Sequence, residues 1–188
     1  MYIEDKTYKS IKASQQPFEK AEYEYCTFIN CDFSETSLAG FKFLECEFEG
    51  CNLSNISLTD TAFKQVNFAD CKLLGLPFDK CDLFNLEMSF SHCILSHCSF
   101  YKLNLKKGFF TGCKLTMSDF SEANLSSAQF DTTDLTGTIF EQCNLEGADF
   151  RTATNFAINP ELNKLKGAKF SKNNLEGLVS YLKLKLES

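Results

Sequence analysis

From Phe90 to Phe150 every fifth residue is large and apolar, and Phe alternates with Leu without a break: Phe90, Leu95, Phe100, Leu105, Phe110, Leu115, Phe120, Leu125, Phe130, Leu135, Phe140, Leu145, Phe150. Neither the 3.6-residue turn of an α-helix nor the two-residue alternation of a strand returns an apolar side chain at every fifth place. A period this strict marks a repeat architecture, in which short units stack to bury one continuous core. The same beat runs in another phase through Phe18, Tyr23, Phe28, Phe33, Leu38, Phe43, Phe48, Leu53, Leu58, Phe63, Phe68, Leu73, Phe78, Leu83 and Met88. Between Met88 and Phe90 the phase slips by two. A two-residue insertion or a three-residue deletion explains it, and we expect a small bulge over 84–90, because turns absorb length better than a packed interior.

The positions between the centres are ordered too. Two residues before most centres stands a small side chain, such as Ala21, Cys26, Cys31, Thr36, Thr61, Ser118, Ala128 or Thr138, and every cysteine of the chain falls in this column. Small beside large predicts that both point inward. The residue just before the centre is polar (Asp32, Asn52, Asp82, Asn104, Asp134, Asn144), and the one after is often Ser or Thr, as outward turns favour.

The beat is weaker at both ends. Residues 1–17 read as an N-terminal cap without it, with Tyr2, Ile3, Tyr8 and Ile11 as scattered apolar anchors. The repeat body spans 18–172, interrupted by an irregular excursion over 153–164 in which Asn159 and Pro160 suit the start of a helical turn. In the segment 173–188, Leu175, Leu178, Val179 and Leu182 recur at helical spacing, with Asn173 as N-cap and Glu176 completing a capping box. Leu184 and Leu186 then alternate with Lys183 and Lys185. A capping helix needs one apolar face, and the alternating run adds a second, so this segment is the expected contact between two subunits.

Composition narrows the chemistry. The formal charge of −6 and pI near 5 argue against direct nucleic-acid binding. No apolar run is long enough to cross a membrane, and no secretory signal is evident, so a cytoplasmic protein is expected. There its ten cysteines stay reduced and pack as small hydrophobes, although stacked thiols could approach disulfide distance. His92-Cys93 and His97-Cys98 invite a metal site, but inward cysteines and outward histidines cannot converge on one ion. No nucleophile elbow, phosphate-binding loop or zinc-protease helix occurs, so neither enzymatic activity nor a cofactor is expected. Charge is banded. Residues 19–60 carry nine acids against Lys20 and Lys42. A C-terminal stretch carries Asp119, Glu122, Asp131, Asp134, Glu141, Glu146 and Asp149 with no base, and Lys102, Lys106, Lys107 and Lys114 lie between the two. Such acidic bands either aid solubility or present a DNA-like charge density to a partner.

The units Cys51-Asn-Leu53, Ala123-Asn-Leu125, Cys143-Asn-Leu145 and Ala148-Asp-Phe150 resemble the pentapeptide repeat, and the match spans 18–150. The resemblance implies an all-β fold, a right-handed quadrilateral β-helix with four pentads to a coil, here followed by a C-terminal α-helix. Residues twenty apart would then stack, making Phe28, Phe33, Phe48, Phe68, Phe90, Phe100, Phe110, Phe120, Phe130, Phe140 and Phe150 the core ladder. The closing segment Asn155–Phe170 with Leu175–Val179 resembles the end of the Qnr and MfpA quinolone-resistance proteins. That likeness implies a homodimer joined through Leu175, Leu178, Val179, Leu182, Leu184 and Leu186. It also implies mimicry of DNA toward gyrase or topoisomerase IV, with the acids between Asp119 and Asp149 facing the partner. The pentads lack the projecting loops of Qnr and follow the loop-free MfpA pattern. The alternative is a scaffold or interaction module for an unrelated partner.

Overall fold

The computed structural model describes residues 1–16 and 18–184. Ten short strands lie among the described residues: β1 (Tyr2–Glu4), β2 (Thr7–Lys9), β3 (Glu22–Glu24), β4 (Thr27–Ile29), β5 (Lys42–Leu44), β6 (Glu47–Glu49), β7 (Ala62–Lys64), β8 (Val66–Ala69), β9 (Met88–Ser91) and β10 (Phe110–Thr111). β1, β3, β5 and β7 pair in that order as a first wall, and β2, β4, β6, β8, β9 and β10 as a second, all parallel. The third and fourth walls are ladders of single bridges. Lys12, Asp32, Asn52, Lys72, Ile94, Lys114, Asp134 and Thr154 align in turn on the third, and Pro77, Ser99, Asp119 and Ile139 on the fourth. Tyr23↔Phe43 and Phe28↔Phe48 show the twenty-residue register, which makes each coil four pentads. The chain is a four-walled parallel β-solenoid.

The five-residue beat fills its interior. All eleven phenylalanines of the expected ladder are buried, none more than 4% exposed. One column is aromatic from end to end: Tyr8, Phe28, Phe48, Phe68, Phe90, Phe110, Phe130, Phe150 and Phe170 stack with centroids 4.6–5.4 Å apart. Phe78, Phe100, Phe120 and Phe140 make a second stack, and the two columns meet edge to face. These are the offset and T-shaped arrangements that the ring quadrupole favours.

The small column does more than make room. Its donors reach back to the carbonyl of a core centre on the preceding coil. Thr61 Oγ1 donates to Leu38 O at 2.8 Å, Thr138 Oγ1 to Leu115 O at 2.8 Å, Cys51 Sγ to Phe28 O at 3.2 Å and Cys143 Sγ to Phe120 O at 3.0 Å. Cys, Ser and Thr alternate in this column because each is small and carries one donor. All ten cysteines are buried free thiols. Burial pushes Cys46, Cys81, Cys98 and Cys143 up to about 12, so they stay protonated at neutral pH.

The corners hold a regularity that the sequence pattern conceals. Two residues after the centre, nearly every coil corner places its residue at positive φ, between 49° and 74°. Seven of the chain's nine glycines occupy such corners: Gly40, Gly50, Gly75, Gly112, Gly137, Gly147 and Gly167. The N–H after the corner closes back on the centre's carbonyl, as from Ala123 to Phe120 O at 2.9 Å, the pattern of a turn that needs a left-handed third residue. Thr132, β-branched, sits there at φ 50°.

Three expectations change. Residues 1–16 are the first coil, not a cap without the beat: Ile3 pairs with Tyr23, Tyr8 with Phe28 and Lys12 with Asp32. Ile3 and Tyr8 continue the series backwards and are half-buried. At the slip, register lengthens from Ala62↔Asp82 to Val66↔Met88, so two residues are inserted between Asp82 and Met88. Leu83, expected as a core centre, turns out to 53% exposure and Phe84 to 69%, while Met88 takes the small-column place opposite Val66. The expected C-terminal helix is present among the described residues but short and of 3-10 rather than α type. It consists of two segments, Lys172–Leu178 and Ser180–Leu182, broken at Asn174 and Val179. Ser171, not Asn173, is the N-cap and accepts from Asn173 N–H. Gly177 and Val179 both weaken α-helix here, and Gly177 is needed for contact: a Cβ on it would lie 2.4–2.5 Å from the Phe156 ring and carbonyl. The excursion over 153–164 keeps the twenty-residue register, Asn144↔Lys164, and Asn159 caps a short turn there, accepting from Glu161 N–H at 2.9 Å.

Two outcomes follow from the packing. Thr132→Gly relieves a left-handed β-branched residue and keeps the N–H that bonds Thr152 Oγ1 at 2.9 Å; stability should rise by about 0.5–1 kcal/mol, or about 1–4 °C in a thermal melt. Ellman's reagent should find none of the ten thiols in the native protein and all of them in denaturant.

Candidate interaction surfaces

Because the core takes the centres and the small column, interaction surfaces must be built from the polar positions on the walls and corners. The seven C-terminal acids spread around the rod instead of sharing a face. Asp119 and Glu141 belong to the fourth wall, Asp134 to the third, Asp131 and Asp149 to the second and Glu146 to the first, with Glu122 at a corner. Most of them have structural partners. Asp119, Asp134 and Asp149 each accept the N–H two residues on, from Ser121 at 2.8 Å, Thr136 at 3.1 Å and Arg151 at 3.1 Å. Asp131 accepts the Thr152 hydroxyl at 2.6 Å, and Glu122 pairs with Lys102 at 3.3 Å. Asp149 carries two cations, Arg151 at 2.7 Å and Lys169 at 3.8 Å. The winding that places residues twenty apart in register separates residues five and ten apart onto different walls.

The same winding gathers the N-terminal acids. Glu4 on β1 with Glu22 and Glu24 on β3 lie on the first wall, Glu47 and Glu49 on β6 lie on the adjoining second, and Glu45 sits at the corner between. Lys42 pairs with Glu22 at 3.1 Å, whereas Glu24, Glu45, Glu47 and Glu49 make no ion pair among the described residues. In β3 and β6 two carboxylates flank one buried aromatic, Tyr23 or Phe48. Strand alternation sets this spacing and was visible in Glu22-Tyr23-Glu24 and Glu47-Phe48-Glu49; their union on one side of the rod needed the coil register.

The other candidate surface closes the rod. Ile158 N–H donates to Gly177 O at 2.9 Å, and Asn174 Nδ2 donates to Phe150 O at 3.2 Å and Ala153 O at 3.1 Å, tying the 3-10 segment to the last coil. Leu178 packs on the core and Val179 is half-buried, while Leu175, Leu182 and Leu184 stay exposed at 46%, 49% and 58%. With three residues per turn, Leu175 and Leu178 keep one side of the first segment, and Leu182 belongs to the second, so the single α-helical stripe is lost. Asn155, Phe156, Gly177, Val179 and Leu184 line a cleft of about 370 Å³ beside them. Lys185 and Leu186 of the expected alternating run lie outside the described residues. His92 and His97 occupy exposed left-handed corners.

A family model for the pentapeptide repeat region matches residues 21–89 and 87–179. Among solved structures, the fold matches QnrB1, a plasmid-mediated fluoroquinolone resistance protein, along its length. A trypsin-treated variant gives a TM-score of 0.56 at 20% identity, covering 100% of both chains. The full-length protein gives 0.54 at 20% identity, covering 98% of this chain and 100% of that one. At this identity the likeness establishes the fold. No curated protein sequence matches significantly.

The turn-bound carboxylates make a pH prediction. The Arg151 guanidinium holds Asp149 below the usual carboxylate range, the Thr136 hydroxyl and Asn155 amide do so for Asp134, and the Ser34 hydroxyl for Asp32. A folded-state pKa below the unfolded one adds stability that is complete above about pH 4 and lost as pH falls through the lowered value. The melting temperature should therefore change little between pH 5 and 8 and fall below pH 4. Asp134→Asn and Asp149→Asn should each flatten that acid limb in circular-dichroism melts.

Proposed function

The chain belongs to the pentapeptide repeat family, and we propose that it is a non-catalytic, acidic binding rod that engages a type II topoisomerase in place of DNA and relieves fluoroquinolone inhibition. The observation that carries this reading is the collection of Glu4, Glu22, Glu24, Glu45, Glu47 and Glu49 on two adjoining walls of a straight ladder. Glu22, Glu24, Glu45, Glu47 and Glu49, offset by Lys42, belong to two successive coils that rise ~4.8 Å each, so over that short stretch the net charge approaches one per ~2.4 Å, against one per ~1.7 Å of B-DNA axis. A groove built to hold DNA is basic and sees a comparable field on this side of the rod. The full-length likeness in fold to QnrB1, a plasmid-mediated fluoroquinolone resistance protein, supports the drug-linked part of this reading. The working form in this reading is a cytoplasmic homodimer joined where Leu175, Leu182 and Leu184 are exposed.

Supercoiling by purified gyrase, with and without ciprofloxacin, tests the proposal. Micromolar protein should slow supercoiling in the absence of drug or restore it in its presence. A variant with Glu22, Glu24, Glu47 and Glu49 changed to Gln should lose the effect while melting as the parent does. Native protein without effect in either condition sinks the reading. In the same preparations, light scattering should report twice the chain mass, and Leu182→Glu should report the single-chain mass.

A further inference from the structure

The two extra residues of the bulge open a slot in one wall of the solenoid. Elsewhere on the first wall the residue before the centre donates to the preceding coil and the centre donates to the following one. Asn124 N–H bonds Leu103 O at 2.9 Å, Leu105 N–H bonds Asn124 O at 2.8 Å, and Asn144 N–H bonds Ala123 O at 3.0 Å. At the junction between the coil of Asp82 and the coil of Asn104 the equivalent bonds are missing. Asn104 N–H, Asn104 C=O and Lys106 C=O on one side, and Leu83 N–H, Asn85 N–H and Cys81 C=O on the other, have no hydrogen-bond partner among the described residues. The other walls stay closed at this level through Val66↔Met88, Lys72↔Ile94 and Pro77↔Ser99. The slot is therefore confined to one face and held open by a rigid frame.

Its surroundings have a consistent character. Clefts of about 420 and 500 Å³ flank it, and half-buried Leu86 lines both. Lys64, Lys106 and Lys107 face these clefts against Glu45 and Glu87, and Lys102 stands at the far side by Leu83. Leu83 and Phe84 project beside them, with Lys64 Nζ 5.2 Å from the Phe84 ring centroid. An unpaired strand edge in an otherwise continuous sheet is a template for another strand.

We propose that the slot docks an extended, acidic peptide segment of a partner protein, which adds a short strand along the open Asn104–Lys106 edge in the place the bulge has vacated. Main-chain bonds to Asn104 and Lys106 supply affinity that any extended chain would receive. The lysines select carboxylate side chains, and Leu86 with Phe84 accepts an apolar residue between them. A partner with alternating acidic and apolar residues fits all three. The slot lies further along the first wall than the Glu22–Glu24 rung and meets the acidic surface only at Glu45. Its test involves neither gyrase nor the four glutamates exchanged there, so its failure is distinguishable from failure of the topoisomerase reading.

Fluorescence anisotropy of a labelled peptide alternating Glu and Leu, titrated with the full chain, tests the proposal. Binding should saturate, and a Lys-Leu peptide of the same length should not bind. Asn104→Pro removes an N–H without a partner among the described residues, together with the exposed bond that Asn104 Oδ1 accepts from Asn124 Nδ2 at 2.9 Å, so it should weaken binding about fivefold with only a small fall in melting temperature. If that variant melts early, a peptide carrying one backbone ester in place of an amide makes the same deletion from the ligand side and should lose affinity similarly. Lys106→Glu with Lys107→Glu should abolish binding. Absence of saturable binding overturns the proposal. So does binding that polyphosphate displaces at equal charge while neither Asn104→Pro nor the ester alters it, since the site would then be an electrostatic patch for polyanions.

Discussion

A single coil of this protein cannot fold alone, because its inward side chains have nothing above or below them to touch. What makes the rod possible is the stacking of like upon like every twenty residues. The unbroken column from Tyr8 to Phe170 is the clearest case. Each ring buries its faces against two copies of the same environment, and each backbone segment pairs with the coil on either side. Stability in such an array is close to a sum over neighbouring interfaces. The ends and any break in register are then the weakest places, and both are where this molecule departs from its own pattern.

At the C-terminal end the chain leaves the ladder and folds back over it. Asn174 reaches the Phe150 and Ala153 carbonyls that a further coil would have occupied, and Gly177 lets the backbone sit against Phe156. Closing the rod in this way leaves leucines outside, so the same segment that satisfies the polar backbone creates an apolar surface. At the bulge the balance is reversed. Two extra residues keep the core in phase on the far side, at the cost of unpaired backbone groups on one wall.

Surface charge follows the winding rather than the sequence. Acids close together in the chain, such as Asp131 and Asp134, face different walls, whereas Glu24 and Glu45, on successive coils, come to the same side. A charge band read along the chain therefore describes a length of rod, and only the coil register tells which side of it a partner would meet. This is why the N-terminal acids make the more coherent surface, although the C-terminal stretch is the one without bases.

The sequence by itself determined a stacked-repeat architecture, its core and the place where its phase slips, because a five-residue apolar beat fits neither a helix nor a flat strand; the four-pentad coil followed from the resemblance to a known repeat. The sequence also showed which positions are small, since a cysteine beside a phenylalanine can be read as a packing pair. Several features needed the tertiary structure. The first coil escaped notice because Ile3 and Tyr8 are sparse anchors until Tyr23 and Phe28 stack on them. The donor role of Cys, Ser and Thr was hidden, since their acceptor lies 23 residues back. The left-handed corners were concealed by a position that tolerates Glu, Lys, His and Gly alike. At the C-terminus, apolar spacing favoured an α-helix, and the close approach of Gly177 to Phe156, a contact no local pattern encodes, decided for 3-10 turns instead.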